Sequence, residues 1–160
     1  MKKYKTLIIV CLIVLCGFIL DLVTKSIANN TLELLYRNKI INNFFYFTLC
    51  YNTGGAWSIF SGNVLMLIIF SIIALGLVIF TMTKSTSKLY IYSSALFVSG
   101  LLGNLFDRIV YGKVIDFLDF IIFGYDFPVF NVADCFICVG VGLMLLGIIK
   151  EEKVNGKEDS

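Results

Sequence analysis

Four stretches of this chain carry no charge: Leu7 to Leu20, Val64 to Thr83, Leu89 to Phe106 and Cys135 to Ile149. Crossing the hydrocarbon core of a bilayer takes about 20 residues of helix. Backbone polar groups inside lipid must bond within their own segment, so such runs are confined to helices. Charged residues make up only 15% of the chain, against about a quarter in a soluble domain. The first and fourth runs reach spanning length only if an aspartate is admitted at one end, Asp21 and Asp134. A carboxylate at membrane depth is costly and is usually retained for function. Lys2, Lys3 and Lys5 before an apolar run also fit a cleavable leader. However, bulky Leu15 precedes Cys16 and the run continues to Val23, so the segment is read as a helix.

The expected fold is an all-α membrane protein, one domain over 1–160. Its transmembrane helices are expected near 5–27, 64–83, 89–106 and 131–149, with a disordered polar tail at 150–160. Cytoplasmic segments are enriched in Lys and Arg. Placing the N-terminus inside puts Lys2, Lys3, Lys5, Lys84, Lys88, Lys150, Lys153 and Lys157 there, and Lys25, Arg37, Lys39, Arg108 and Lys113 outside. Both termini are therefore expected in the cytoplasm, with extracytoplasmic segments at 28–63 and 107–130. Those segments are aromatic: Phe44, Phe45, Tyr46 and Phe47 in one, Phe117, Phe120, Phe123, Tyr125, Phe127 and Phe130 in the other. Aromatic side chains favour the headgroup level, which places both on the outer leaflet. Tyr46 to Tyr51 is strand-like in composition, so a small extracytoplasmic β-containing segment is expected.

Side-chain chemistry narrows the function. Five cysteines are an odd number for a disulfide framework. The Cys135-x-x-Cys138 pair lies in an apolar run, without a second pair or any histidine to complete a metal site. No metal and no cofactor are expected. The absence of histidine removes Ser-His-Asp and Cys-His nucleophiles, so a hydrolase built here must use carboxylates as acid and base, with lysine a distant second. Glu33 and the tail glutamates lie in polar segments, which leaves Asp21, Asp107, Asp116, Asp119, Asp126 and Asp134, all expected on one side of the membrane. A proton-coupled transporter would hold its carboxylates near the midplane, with broken helices or inverted repeats. A non-catalytic scaffold would leave the convergence without a purpose. A net charge of +2 without a basic patch gives no footing for nucleic acid.

The aspartates sit in D-L-V-T-K (Asp21 to Lys25), G-L-L-G-N-L-F-D-R (Gly100 to Arg108), V-I-D-F (Val114 to Phe117) and F-N-V-A-D (Phe130 to Asp134), with N-T-G-G-A-W (Asn52 to Trp57) between. In this order around four spans, the motifs resemble the lipoprotein signal peptidase (signal peptidase II) family. The resemblance implies a bacterial cell-membrane aspartyl endopeptidase. Its partners would be the bilayer and prolipoproteins, whose signal peptide it removes just before a diacylglyceryl-bearing cysteine. It implies Asp116 and Asp134 as the catalytic pair, in a site near the outer leaflet, with Asp119 excluded by register. Two close carboxylates share a proton, one activating water while the other polarises the scissile carbonyl. Asp21, Lys25, Asn52, Gly54, Asn104, Asp107, Arg108, Asn131 and Ala133 then act as supports. Asp21 and Lys25 are spaced for an ion pair on one helix face. Lys25 fits equally an anchor at the membrane interface, and Arg108 a membrane-edge pair with Asp107. Gly54, Gly55, Gly100 and Gly103 suit close backbone approach. Leu101 departs from the family's frequent second glycine, a matter of helix packing.

Overall fold

The structure, a computed structural model, describes residues 2–55 and 59–158, and their side chains over 4–55 and 59–150. Trp57 of the N-T-G-G-A-W motif and residues 159 and 160 of the tail lie outside the described residues. Helix α1 (Lys2–Thr31) leads to strands β1 (Arg37–Ile41) and β2 (Phe45–Asn52). Helices α2 (Val64–Lys84) and α3 (Lys88–Tyr111) follow, then β3 (Val114–Ile122), β4 (Tyr125–Asp126) and α4 (Val132–Glu158). All four helices are long and apolar enough to cross a membrane.

Each helix runs beyond its apolar stretch. Helix α3 was expected to end near 106, yet it carries Asp107 and Arg108 and stops at Gly112, whose left-handed φ of 67° lets its amide return to the Arg108 carbonyl. The two charged residues belong to the helix because they are bonded inside the fold, as described below. The polar tail, expected to be disordered, continues α4 to Glu158. Lys and Glu, which recur along it, are good helix formers.

Helix α3 is the hub and packs on α1, α2 and α4. Its buried face is rich in small residues, among them Ser94, Ala95, Ser99, Gly100 and Gly103. The serine hydroxyls bond back to their own helix, as Ser94 Oγ does to the Tyr90 carbonyl at 2.7 Å, so these hydroxyls are satisfied where they are buried. A Cβ on Gly100 would collide with the Ala133 carbonyl, and one on Gly103 with the Asp21 carboxylate. Those two glycines set how closely α1 and α4 approach. The outward faces of α1, α2 and α4 expose Leu7, Leu12, Ile69, Leu77 and Leu145, the surface a lipid-facing helix presents.

The β segment is larger than one strand. Four antiparallel strands form a sheet in the order β1-β2-β3-β4. Between β2 and β3 the register passes from Phe47↔Leu118 to Cys50↔Asp116, so β2 holds one extra residue, a bulge. Phe130, just before α4, closes the sheet: its amide donates to the Leu118 carbonyl at 3.0 Å, and its carbonyl accepts from Phe117 N and Leu118 N. That anchor brings the start of α4 beside the middle of β3.

Candidate active site

The end of the bundle beside the sheet collects polar side chains from α1, α3, α4, β3 and the end of β2. The start of α4 is the keystone. Asn131 Oδ1 accepts from Asp134 N at 3.0 Å, and Asp134 Oδ2 accepts from Asn131 N at 3.1 Å. This is a reciprocal capping box with aspartate as its acid. A further end amide, Ala133 N, donates to Asp21 Oδ1 of α1 at 2.8 Å. Amide groups and dipole together make this terminus a place for negative charge.

Asn131 also links the two carboxylates. Its Nδ2 donates to Asp116 Oδ1 at 2.6 Å and to Asn104 Oδ1 at 3.1 Å. Asn104 Nδ2 donates to Asp134 Oδ1 at 2.7 Å, while its Oδ1 accepts from Lys25 Nζ at 2.9 Å. Lysine can only donate, so Lys25 fixes the Asn104 amide with its NH2 toward Asp134. By the same logic Asp134 N fixes Asn131 with its NH2 toward Asp116. On its other oxygen, Asp116 Oδ2 accepts from Asn52 Nδ2 at 3.1 Å. Each carboxyl oxygen of the pair thus receives an uncharged N–H.

Asp116 is held from both sides along the chain. Asp107 Oδ2 accepts from Ile115 N at 3.1 Å, and the Phe130 carbonyl accepts from Phe117 N at 3.0 Å. Its side chain is 3% exposed. Burial, and secondly the neighbouring Asp134 charge, push its carboxyl up to about 7, although the Asn52 and Asn131 hydrogen bonds pull it down.

Beneath the pair lies a buried ionic cluster. Lys25 is 1% exposed. Its ammonium meets Asp21 Oδ2 at 2.8 Å and Asp107 Oδ2 at 3.1 Å. The ion pair with Asp21 has the expected spacing, whereas the interface anchor also considered for Lys25 does not occur. Nor does a pair between Asp107 and Arg108, since neighbours on a helix point in different directions. Arg108 turns instead to the loop after β2, donating to the Gly54 carbonyl at 2.9 Å and to the Asn104 carbonyl at 3.3 Å. Gly54 N in turn donates to Asn52 Oδ1 at 2.8 Å. Every one of the eleven residues singled out from the sequence takes part: Ala133 through its amide, Gly54 through both backbone groups, and the rest through side chains.

Asp119 lies elsewhere. On a strand, residues three apart point to opposite faces. Asp119 is fully buried and grips Arg37 through two bonds, at 2.8 and 3.2 Å, while accepting from Thr48 Oγ1 at 2.6 Å. Arg37 reaches on to Asp126 at 2.9 Å and lies over the Tyr46 ring. This clamp ties all four strands together. In the sequence Arg37 shows only as a charge, and Thr48 carries no signal. Their separation from Asp119 by 82 and 71 positions left no local signal.

Four spanning helices and a pair of amide-bonded carboxylates, one of them on the proton-rich side of its usual range, define a multi-pass membrane protein equipped for aspartate chemistry. Residues 13–150 match the family described as signal peptidase (SPase) II. The lipoprotein signal peptidase of Staphylococcus haemolyticus is 38% identical over 99% of this chain and 100% of its own. That of Listeria monocytogenes is 35% identical over 89% and 94%. A bacterial membrane enzyme structure determined by the in meso method at 2.3 Å superposes with a TM-score of 0.83 and 35% identity, covering 89% of this chain and 88% of that one. The chain belongs to the signal peptidase II family, and is a hydrolase of peptide bonds in a bacterial membrane.

Proposed function

We propose that the enzyme removes the signal peptide from diacylglyceryl-modified prolipoproteins, with Asp116 and Asp134 as its catalytic pair. The observation that carries this is Asn131, which bonds Asp116 through its side chain at 2.6 Å and Asp134 through its own amide at 3.1 Å. Asp134, in the capping box at a helix N-terminus, is the base. Asp116, with its carboxyl near neutrality, is the acid. Water attacks the carbonyl carbon of the residue before the lipidated cysteine, giving one proton to Asp134 while Asp116 protonates the carbonyl oxygen. The tetrahedral diol then collapses: Asp134 passes its proton to the leaving nitrogen, the C–N bond breaks, and the diol returns a proton to Asp116. Protons balance, and no covalent enzyme intermediate forms.

The lysine distribution supports a topology with both termini in the cytoplasm, and the sheet and carboxylate pair near the outer leaflet. A substrate helix lying in the membrane then presents its lipidated cysteine at the level of the pair. The test is cleavage of one prolipoprotein with and without its diacylglyceryl group by the purified enzyme. Cleavage before the cysteine only when it is lipidated is expected, and equal rates would remove the lipid from recognition.

A further inference from the structure

The β3–β4 hairpin closes through Phe123 and Gly124 alone, because Ile122 pairs with Tyr125. Both turn residues have positive φ, 51° and 79°. Two-residue turns of this kind favour Asn-Gly, whereas a bulky residue in the left-handed region is an outlier. Phe123 is also fully exposed, so contacts within the protein do not offset its conformation. Among the described residues two other large apolar ones share this combination: Leu35, four residues after α1 ends, and Phe60, four before α2 begins, with φ of 61° and 59°. Both sit beside the ends of spanning helices, where lipid is at hand.

The surroundings of the tip are mostly apolar, with Asn42 and Asn43 in the β1–β2 turn and Asp126 at the end of β4 as the polar neighbours. Ile41, Phe44, Ile122 and Tyr125 are all exposed around it. Phe44 N donates to the Ile41 carbonyl, and the Phe44 carbonyl accepts from Ile121 N, which makes the patch continuous from β1 to β4. No charged residue occurs in 40–45 or 120–125. A water-facing sheet end would carry charge, whereas lipid accepts this one. We infer that the β3–β4 hairpin is a membrane wedge, with Phe123 inserted at the boundary between headgroups and acyl chains of the same bilayer that the helices cross. The wedge holds the far end of the sheet against lipid, and so sets the depth of Asp116 at the other end of β3. It holds whichever carboxylates are catalytic and whichever side of the membrane the sheet occupies.

The test places a fluorescent reporter at the tip. Phe123→Trp is made in a chain whose single tryptophan is removed by Trp57→Phe, and the full-length protein is reconstituted into vesicles of phosphatidylglycerol and phosphatidylethanolamine. Lipids brominated on the acyl chain near the headgroup should extinguish most of the emission, and aqueous iodide should leave it nearly unchanged. Circular dichroism checks the fold, and Tyr125→Trp serves as the reporter if the first variant fails to fold. Emission quenched by iodide and indifferent to brominated lipid overturns the wedge.

Discussion

Asp116 and Asp119 lie three residues apart on one strand, and both are buried. What surrounds them separates their chemistry. Asp119 faces a guanidinium and a hydroxyl, which occupy its lone pairs and pair it with a cation. Asp116 faces two neutral amides and a second carboxylate. Neutral donors aim a carboxylate without committing its proton, so Asp116 stays able to give and take one at neutral pH. In the proposed mechanism Asp119, clamped by arginine, is a structural part, and Asp116, cradled by asparagines, is the chemical one.

The sharpest break between the two is by isosteric amides. Asp116→Asn and Asp134→Asn are each expected to lower the cleavage rate by about 10³-fold or more, and the double variant is expected to lose little beyond either single one, because the pair acts as a unit. Rates on a lipid-modified prolipoprotein, with circular dichroism as a check on folding, measure this. An active Asp116→Asn beside an inactive, folded Asp119→Asn would reverse the assignment. Lys25→Met comes next. It strands Asp21 and Asp107 in the interior, and breaking a buried ionic cluster in this way costs about 3–5 kcal/mol. It also releases the Asn104 amide from its fixed orientation. Thermal unfolding in detergent should show the loss, and an unchanged midpoint would mean the cluster is not buried in lipid-solvated protein.

Asp119→Asn sharpens the comparison from the other face. The amide retains Thr48 as a donor and loses the ionic part of the Arg37 contact, while Arg37 keeps Asp126. A loss of about 1–3 kcal/mol in stability is expected for a weakened buried hydrogen-bonded charge. Activity at a temperature where the variant stays folded should fall less than about tenfold. A drop as deep as that of Asp116→Asn would assign Asp119 a chemical task.

The helices were legible because apolar runs are local, and the carboxylate motifs because their resemblance to a family is local too. The limits of α3 were not: the apolar count stops at Phe106, while the helix continues because Asp107 finds Lys25 and Arg108 finds Gly54 within the fold. Nor was β3 foreseen, although Val114 to Ile122 is rich in β-branched and aromatic residues. Both faces of the strand are covered near Asp116, so the sequence reads as continuous apolar segments broken by two aspartates, without the alternation that marks a half-exposed strand. Had β3 been recognised, the spacing of Asp116 and Asp119 would have placed them on opposite faces without recourse to motif register. The Arg37 clamp and the linking role of Asn131 depend on contacts across 82 and 15 positions, and only the fold supplies those.

The finest test concerns the proton itself. If Asp116 is the acid, activity requires it protonated, so cleavage should decline by about tenfold per pH unit once pH rises above about 7. With the Asp116 carboxyl raised from 3.8 to about 7, the folded protein binds more protons than the unfolded chain between those values. Stability therefore falls as pH climbs through that window and levels off above it, and Asp116→Asn should flatten that dependence. Asn52 then gives the smallest effect. Its N–H bonds Asp116 Oδ2 and favours the anion, so Asn52→Ala should move the alkaline limb upward by a fraction of a pH unit, even as the plateau rate drops through a less ordered Gly54 loop. Asn52 has no counterpart at Asp119, where the charged Arg37 fills that place. A pH–rate profile of Asn52→Ala whose limb stays fixed or moves down would show that the amide only positions the loop, leaving the proton affinity of Asp116 to burial and Asp134.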